Sequence, residues 1–153
     1  MMTRLAVPGV RPAWFVGASY GGTEDQSLRF IAEGIWEGGN RNRYRAAVRS
    51  METGDRIAIK ASYTRRHNLP FDNAGEMVSV LAIKVVGTIS ANLNDGRRVR
   101  VNWLPTGPTR EWYFFTHRGT VWRVVPGNWK TDGLIAFAFE HQPQDIDRFR
   151  RRR

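Results

Sequence analysis

Apolar residues fall along this chain with two different periods. Trp14-Phe15-Val16-Gly17-Ala18-Ser19 is an apolar stretch too short for a helix, and it predicts a buried strand closed by the turn-prone Tyr20-Gly21-Gly22. Thr23 offers a helix N-cap, Glu24 and Asp25 fall in the first turn, and Gln26 completes a capping box. Leu28, Ile31, Ala32 and Ile35 follow at helical spacing, and the helix is expected to end at Gly34-Ile35-Trp36, ahead of the break at Gly38-Gly39. Asn40 caps a second predicted helix, which runs to about Met51 with Tyr44, Ala47, Val48 and Met51 on its inner face.

From Asp55 the period shortens to that of a strand. Residues 56–63 predict one strand, 64–75 a long polar loop holding Leu69-Pro70-Phe71-Asp72-Asn73, and 77–90 a long strand with Gly87 suited to a bulge or sharp bend. Asn94-Asp95-Gly96 is a turn signal, and residues 98–103 pair back as the next strand. After the loop at 104–110, residues 111–116 and 120–125 are again strand-like. Asn128 offers a cap for a helix carrying Trp129, Leu134, Ile135, Phe137 and Phe139, although the end of this stretch also alternates as a strand would, and Gln142-Pro143 opens a last short helical piece. A strand, two helices and a run of bent strands predict an α+β fold, a small bent β-barrel with flanking helices. The 153 residues suit a single domain over 13–149. Residues 1–12, with Pro8, Gly9 and Pro12, predict a tail; residues 150–153 are a basic run expected to lead into further domains.

Charge changes the picture. Lysine and arginine total 24 against 14 acidic residues, a net charge of +10, and such an excess attracts polyanions. Part of it lies on the second predicted helix, where Arg41, Arg45 and Arg49 recur every four residues with no acidic partner at helical spacing. With Arg65 and Arg66 of the long loop, these are the candidate phosphate contacts. The absence of cysteine excludes disulfides and thiolate metal sites. No apolar stretch has the length of a membrane span or signal peptide, so a cytoplasmic protein is expected.

Searches for catalytic patterns return little. His67, His117 and His141 form no metal-ligand spacing, and there is no phosphate-cradling glycine loop, nucleophile elbow or zinc-helix motif. No catalytic residue, metal or cofactor is therefore assigned. The aromatic residues are more informative. Trp14, Trp103, Trp112 and Trp122 lie in strand-like segments that read as core, and Trp129 packs its helix. Trp36 instead ends a helix beside Glu37-Gly38-Gly39, Phe71 lies in a polar loop before Asp72 and Asn73, and Tyr63 leads into that loop. Convergence of the three on one mouth would make a cage for an unstacked base, since aromatic stacking returns roughly 1–3 kcal/mol per base. The base edge would be met by neighbouring polar groups.

Several short motifs carry a resemblance. Trp14 to Ser19, followed by Arg29-Phe30-Ile31-Ala32-Glu33-Gly34-Ile35-Trp36 and later by Val99-Arg100-Val101-Asn102-Trp103, resembles YTH domains. Gly54-Asp55-Arg56-Ile57-Ala58-Ile59 is similar to the strand start of EVE domains; both belong to the PUA-like superfamily. The order of all these motifs, with Leu69 to Asn73, Arg110 to Phe114 and Gln144-Asp145-Ile146, resembles the EVE-like module at the N-terminus of McrB-type AAA+ restriction proteins. That resemblance implies a PUA-like fold and a domain, not itself an enzyme, that reads a flipped methylated base in double-stranded DNA. A fused AAA+ domain and a separate nuclease subunit are the implied partners. Trp36 would be a cage wall and Ser19 a polar contact, while Tyr20 stands where the family has an adenine-reading Asn. Two other readings are open: a domain of the same superfamily that reads modified or structured RNA, and a small nucleotide-processing enzyme with Asp72 as its acid or base.

Overall fold

The computed structural model describes residues 10–39 and 42–151. Asn40 and Arg41, given above as a cap and a phosphate contact, lie outside the described residues, as do most of the expected N-terminal tail and the last two arginines. The elements are β1 (Ala13–Val16), β2 (Ser19–Tyr20), β3 (Glu24–Asp25), α1 (Ser27–Glu33), β4 (Ile35–Glu37), a 3₁₀ turn (Asn42–Tyr44) and α2 (Arg45–Arg49). Then follow β5 (Arg56–Arg65), β6 (Val78–Asn92), β7 (Arg98–Trp103), β8 (Arg110–Tyr113), β9 (Val121–Val124), α3 (Trp129–Glu140) and α4 (Ile146–Arg151).

Seven strands form one mixed sheet in the order β4-β7-β6-β5-β1-β9, with β8 on β6. β1 and β5 run parallel, and the other pairs are antiparallel. The β6 strand is long enough for β8 to pair with its first half, from Val80 to Ile83, and β7 with its second, from Gly87 onward. The result is a mixed α+β domain. The expected barrel closure is not seen: among the described residues the sheet stays open, with β4 and β9 at its ends.

Both faces of the sheet are covered, which is why β1 is buried throughout rather than alternating. Trp14, Val16, Ile57, Ile59, Val99 and Val101 face one core, closed by Phe30, Val48 and Met51 of the α1–α2 region. Ala13, Phe15 and Ala58 point the other way, against Leu134, Ile135, Phe137 and Ala138 of α3 and Phe149 of α4. A bulge lets β6 serve both. Ile59 pairs with Val85 but Lys60 with Ile83, leaving Lys84 as the extra residue. One extra residue inverts the facing of all that follow. Leu81 and Ile83 accordingly face the α3 core, while Val85 and Ile89 face the other. A second irregularity leaves Ser90 unpaired, so neither bulge falls on Gly87. Gly87 answers a different need, because a Cβ there would lie 2.5 Å from the Asn102 carbonyl oxygen of β7.

The start of α1 also differs from expectation. Glu24 and Asp25 pair with Tyr20 and Ser19 in a two-stranded ribbon, and the helix begins only at Ser27. Asp25 Oδ1 accepts from the Ser27 amide at 2.9 Å and the Ser27 hydroxyl at 2.6 Å, so the capping box from Thr23 is not used. The buried side of α1 is Ser27 and Phe30; Leu28 is 83% exposed. The α3 expectation holds: Asn128 Oδ1 accepts from the amides of Lys130 and Thr131, both at 3.0 Å.

Candidate nucleic-acid interface

Where β1 ends, the chain makes the walls of an open cavity of about 420 Å³. Gly17, Ser19 and Tyr20 supply one side, and Trp36 to Gly39 supply the floor and a second side. Tyr44 and Val48 close a third, with Gly96, Arg97 and Thr120 completing the rim. Binding pockets of small organic molecules occupy about 300–1,000 Å³, so the space is large enough for a small organic ligand.

Trp36 does not stand as an open wall. Its ring is 0% exposed and belongs to the core, and its indole N–H donates to the Gly17 carbonyl at 2.9 Å. Gly38 lies against it, with space for a Cβ only 3.4 Å from Trp36 Cη2. The indole therefore underlies the cavity, and the rings that border the space are the half-buried Tyr20 and Tyr44. Tyr20 packs edge-on to Phe30, and its hydroxyl donates toward Glu37, 3.1 Å from the backbone oxygen and 3.2 Å from Oε2. The Tyr44 hydroxyl accepts from the Thr120 amide at 3.2 Å, leaving its own proton for another acceptor. Thr120 is held in turn by its carbonyl, which accepts from Gly17 N–H at 2.8 Å. Behind it, the buried Lys60 donates to the carbonyls of His117 and Gly119, each at 2.7 Å, and burial pulls its pKa down to about 8.

Glu37 is the principal charge of the wall, with its side chain 11% exposed. Arg98 donates to its Oε1 through Nε at 2.9 Å and Nη2 at 2.6 Å, while Arg29 and Arg97 stand 3.5 and 3.6 Å from Oε2. Burial pushes its carboxyl upward, but the bonds and charge of Arg98, with Tyr20 and Arg29, outweigh this and hold it below the usual range. It is thus an anion held by arginines, on a wall whose other charged residues are Glu24 and Arg97. Arg43 lies over the Tyr44 ring, 5.6 Å from its centroid, and Arg45 packs its stem against Gly96.

The structure brings Ser19, Tyr20 and Trp36 together in the lining and packs Arg45 against Gly96, a lining residue, without placing Arg45 in the lining itself. Arg49 is exposed on the same helix. Tyr63, Phe71, Asp72 and Asn73 are not among the cavity residues. Phe71 packs edge-on to Tyr113 and beside Phe114, with Arg150 over its face at 4.7 Å. Asp72 accepts from the Ala74 amide, and Asn73 donates to the Arg66 and Glu76 carbonyls, so both organise their own loop. Tyr63 and Tyr113 donate to Glu111, which Arg65 grips through both Nη atoms. That grip lowers the Glu111 pKa to about 2 and makes Arg65 a structural partner rather than a free phosphate contact. Arg66 is exposed. The clamp expected between Trp36 and a loop aromatic is therefore not formed.

Glu37, Tyr44, Arg97 and Thr120 were missed by sequence reading. Tyr44, expected on the inner face of a helix running to about Met51, lies instead in the 3₁₀ turn ahead of α2, which spans only Arg45–Arg49; it packs against the core and also borders the cavity. Arg97 carried no signal beyond following the Asn94-Asp95-Gly96 turn. Among the described residues, no three or more His, Asp or Glu side chains are grouped to hold a metal ion. No described helix is long and apolar enough to cross a membrane. No protein-family model matches the chain, and no curated protein is significantly similar to it.

Proposed function

We propose that this domain is a nucleic-acid reader of the PUA-like, EVE/YTH-like type, which takes one extruded methylated base of double-stranded DNA into the cavity over Trp36. In this reading it is the specificity module of a modification-dependent restriction system, with nucleotide hydrolysis and strand cleavage carried by other domains or subunits. The observation that carries the reading is the cavity itself: a hollow of about 420 Å³ lined by Tyr20, Trp36 and Tyr44, with Arg97 in its lining and Arg43 and Arg45 next to lining residues, in a chain of net charge +10. Tyr20 and Tyr44 offer faces for stacking, and Ser19 and the Tyr44 hydroxyl offer polar contacts for an edge. Arg43, Arg45 and Arg49 would meet the flanking phosphates, whose neutralisation supplies most of the affinity.

Trp36→Ala is a poor test, because emptying a fully buried indole costs about 3–5 kcal/mol of stability. Ser19 is exposed at the mouth, and Ser19→Trp fills the entrance without touching the core. Anisotropy titrations with methylated and plain duplexes should give a methyl preference in the wild type that Ser19→Trp removes, leaving only salt-sensitive background binding. Equal wild-type affinity for the two duplexes would reject methyl reading.

A further inference from the structure

The cavity wall holds an unusual pair. Arg97 is fixed by its backbone, whose N–H donates to Asp95 Oδ1 at 2.9 Å and whose carbonyl accepts from Gly38 at 2.8 Å. Among the described residues its guanidinium makes no hydrogen bond: the 3.6 Å approach of Nη2 to Glu37 Oε2 is too long for one, and the side chain, 42% exposed, leaves its Nη donors open. A guanidinium held on a cavity wall with its Nη donors accessible is positioned to donate to a ligand acceptor. Glu37 is its complement. Its Oε1 is occupied by Arg98, whereas Oε2 accepts one hydrogen bond, from the Tyr20 hydroxyl at 3.2 Å, with Arg29 and Arg97 at the longer ion-pair distances of 3.5 and 3.6 Å, and keeps a lone pair to spare.

A donor lacking an acceptor thus stands next to an acceptor with spare capacity. Among bases, guanine offers the fullest match along one edge: a carbonyl acceptor at O6 followed by two donors, N1–H and N2–H. Adenine and cytosine can turn only one amino group to the carboxylate, with a ring nitrogen toward the guanidinium. Thymine and uracil have one N–H flanked by two carbonyls, and the second carbonyl would face the anion. We infer that the cavity reads a guanine-type base, with Arg97 donating to O6 and Glu37 accepting from N1–H and N2–H. This rests on the base-pocket reading above, and narrows the proposed modified base to a guanine derivative whose N1 and N2 are free.

The test uses duplexes identical except for one unpaired, extrahelical nucleotide, G, A, C or T, so that the cost of extrusion is already met. Wild-type protein should bind the G bulge about ten-fold tighter than the other three, the discrimination expected of a good two-point base contact. Glu37→Gln and Arg97→Lys should each reduce that preference below about two-fold. Arg97→Lys keeps the charge, so the salt dependence of binding stays as in the wild type while selectivity is lost. Arg123→Met, which removes an exposed charge on β9, should leave the preference intact. A preference for A, C or T, or equal binding of all four bulges above the fully paired duplex, would overturn the guanine assignment and leave the base pocket standing. No gain from any bulge over paired duplex would overturn both.

Discussion

Glu111 is a strongly perturbed carboxylate, and it is not among the cavity residues. Arg65, Tyr63 and Tyr113 converge on it, and the Arg65 bonds keep its pKa near 2. A carboxyl depressed in the folded state contributes stability that is complete above its ordinary pKa of about 4.5 and is lost as pH falls toward 2. Glu111→Gln should therefore cost about 1–3 kcal/mol at neutral pH and flatten the decline of stability across that acid window, as measured by urea unfolding at a series of pH values. Gly87→Ala should cost about 1–3 kcal/mol by the same assay, because the new methyl meets backbone atoms that cannot step aside. At this scale the sequence was partly legible. Trp36 stood out by its position after a helix, and Ser19 and Tyr20 by their place in a recognisable order of motifs; all three border the cavity. Phe71 and Tyr63 stood out equally, yet they serve a separate cluster. An aromatic residue in a polar loop shows that something is packed there, without showing whether it is a ligand or another part of the chain.

Element by element, legibility followed the strength of local signals. The cap at Asn128, the turn at Asn94-Asp95-Gly96 and the alternation of β5 and β7 act within a few residues, and each element forms as expected. The capping box at Thr23 fails because Glu24 and Asp25 are recruited into a short hairpin with Ser19 and Tyr20, a competing local pairing closed by the Tyr20-Gly21-Gly22-Thr23 turn. The two cases give a paired prediction. Asn128→Ala removes two amide contacts and should cost about 1 kcal/mol, whereas Thr23→Ala should change stability by less than about 0.5 kcal/mol. Thermal or chemical unfolding of both variants checks the difference. The bulge at Lys84 was invisible beforehand, since a lysine within an apolar strand looks like any outward residue. Its effect on facing appears only once β5 is laid beside β6.

Across the whole molecule, the charge excess was read correctly as an amount but not as a distribution. Arg65 and Arg98 are committed to carboxylates, and Arg110 to the carbonyls of Phe137 and Ala138 at the end of α3. Among the described residues, Arg43, Arg45 and Arg97 are near the cavity and not committed in this way. If they track phosphates, the logarithm of affinity should fall linearly with the logarithm of salt concentration, at a slope of about −0.9 for each phosphate contacted. Arg43→Ala or Arg45→Ala should each reduce the slope by about 1, and Arg65→Ala should weaken folding without changing it.

The central claim is that a single base leaves the helix and comes to rest over Trp36. Its indole N–H, held by the Gly17 carbonyl, is a built-in reporter of that event, and the indoles of Trp14 and Trp112, tied to Asp55 and Phe115, serve as internal references. In a proton–nitrogen correlation spectrum, adding duplex DNA with one extrahelical nucleotide should shift the Trp36 indole signal and leave those of Trp14 and Trp112 in place. Movement confined to arginine signals, with Trp36 unchanged at saturation, would contradict the account.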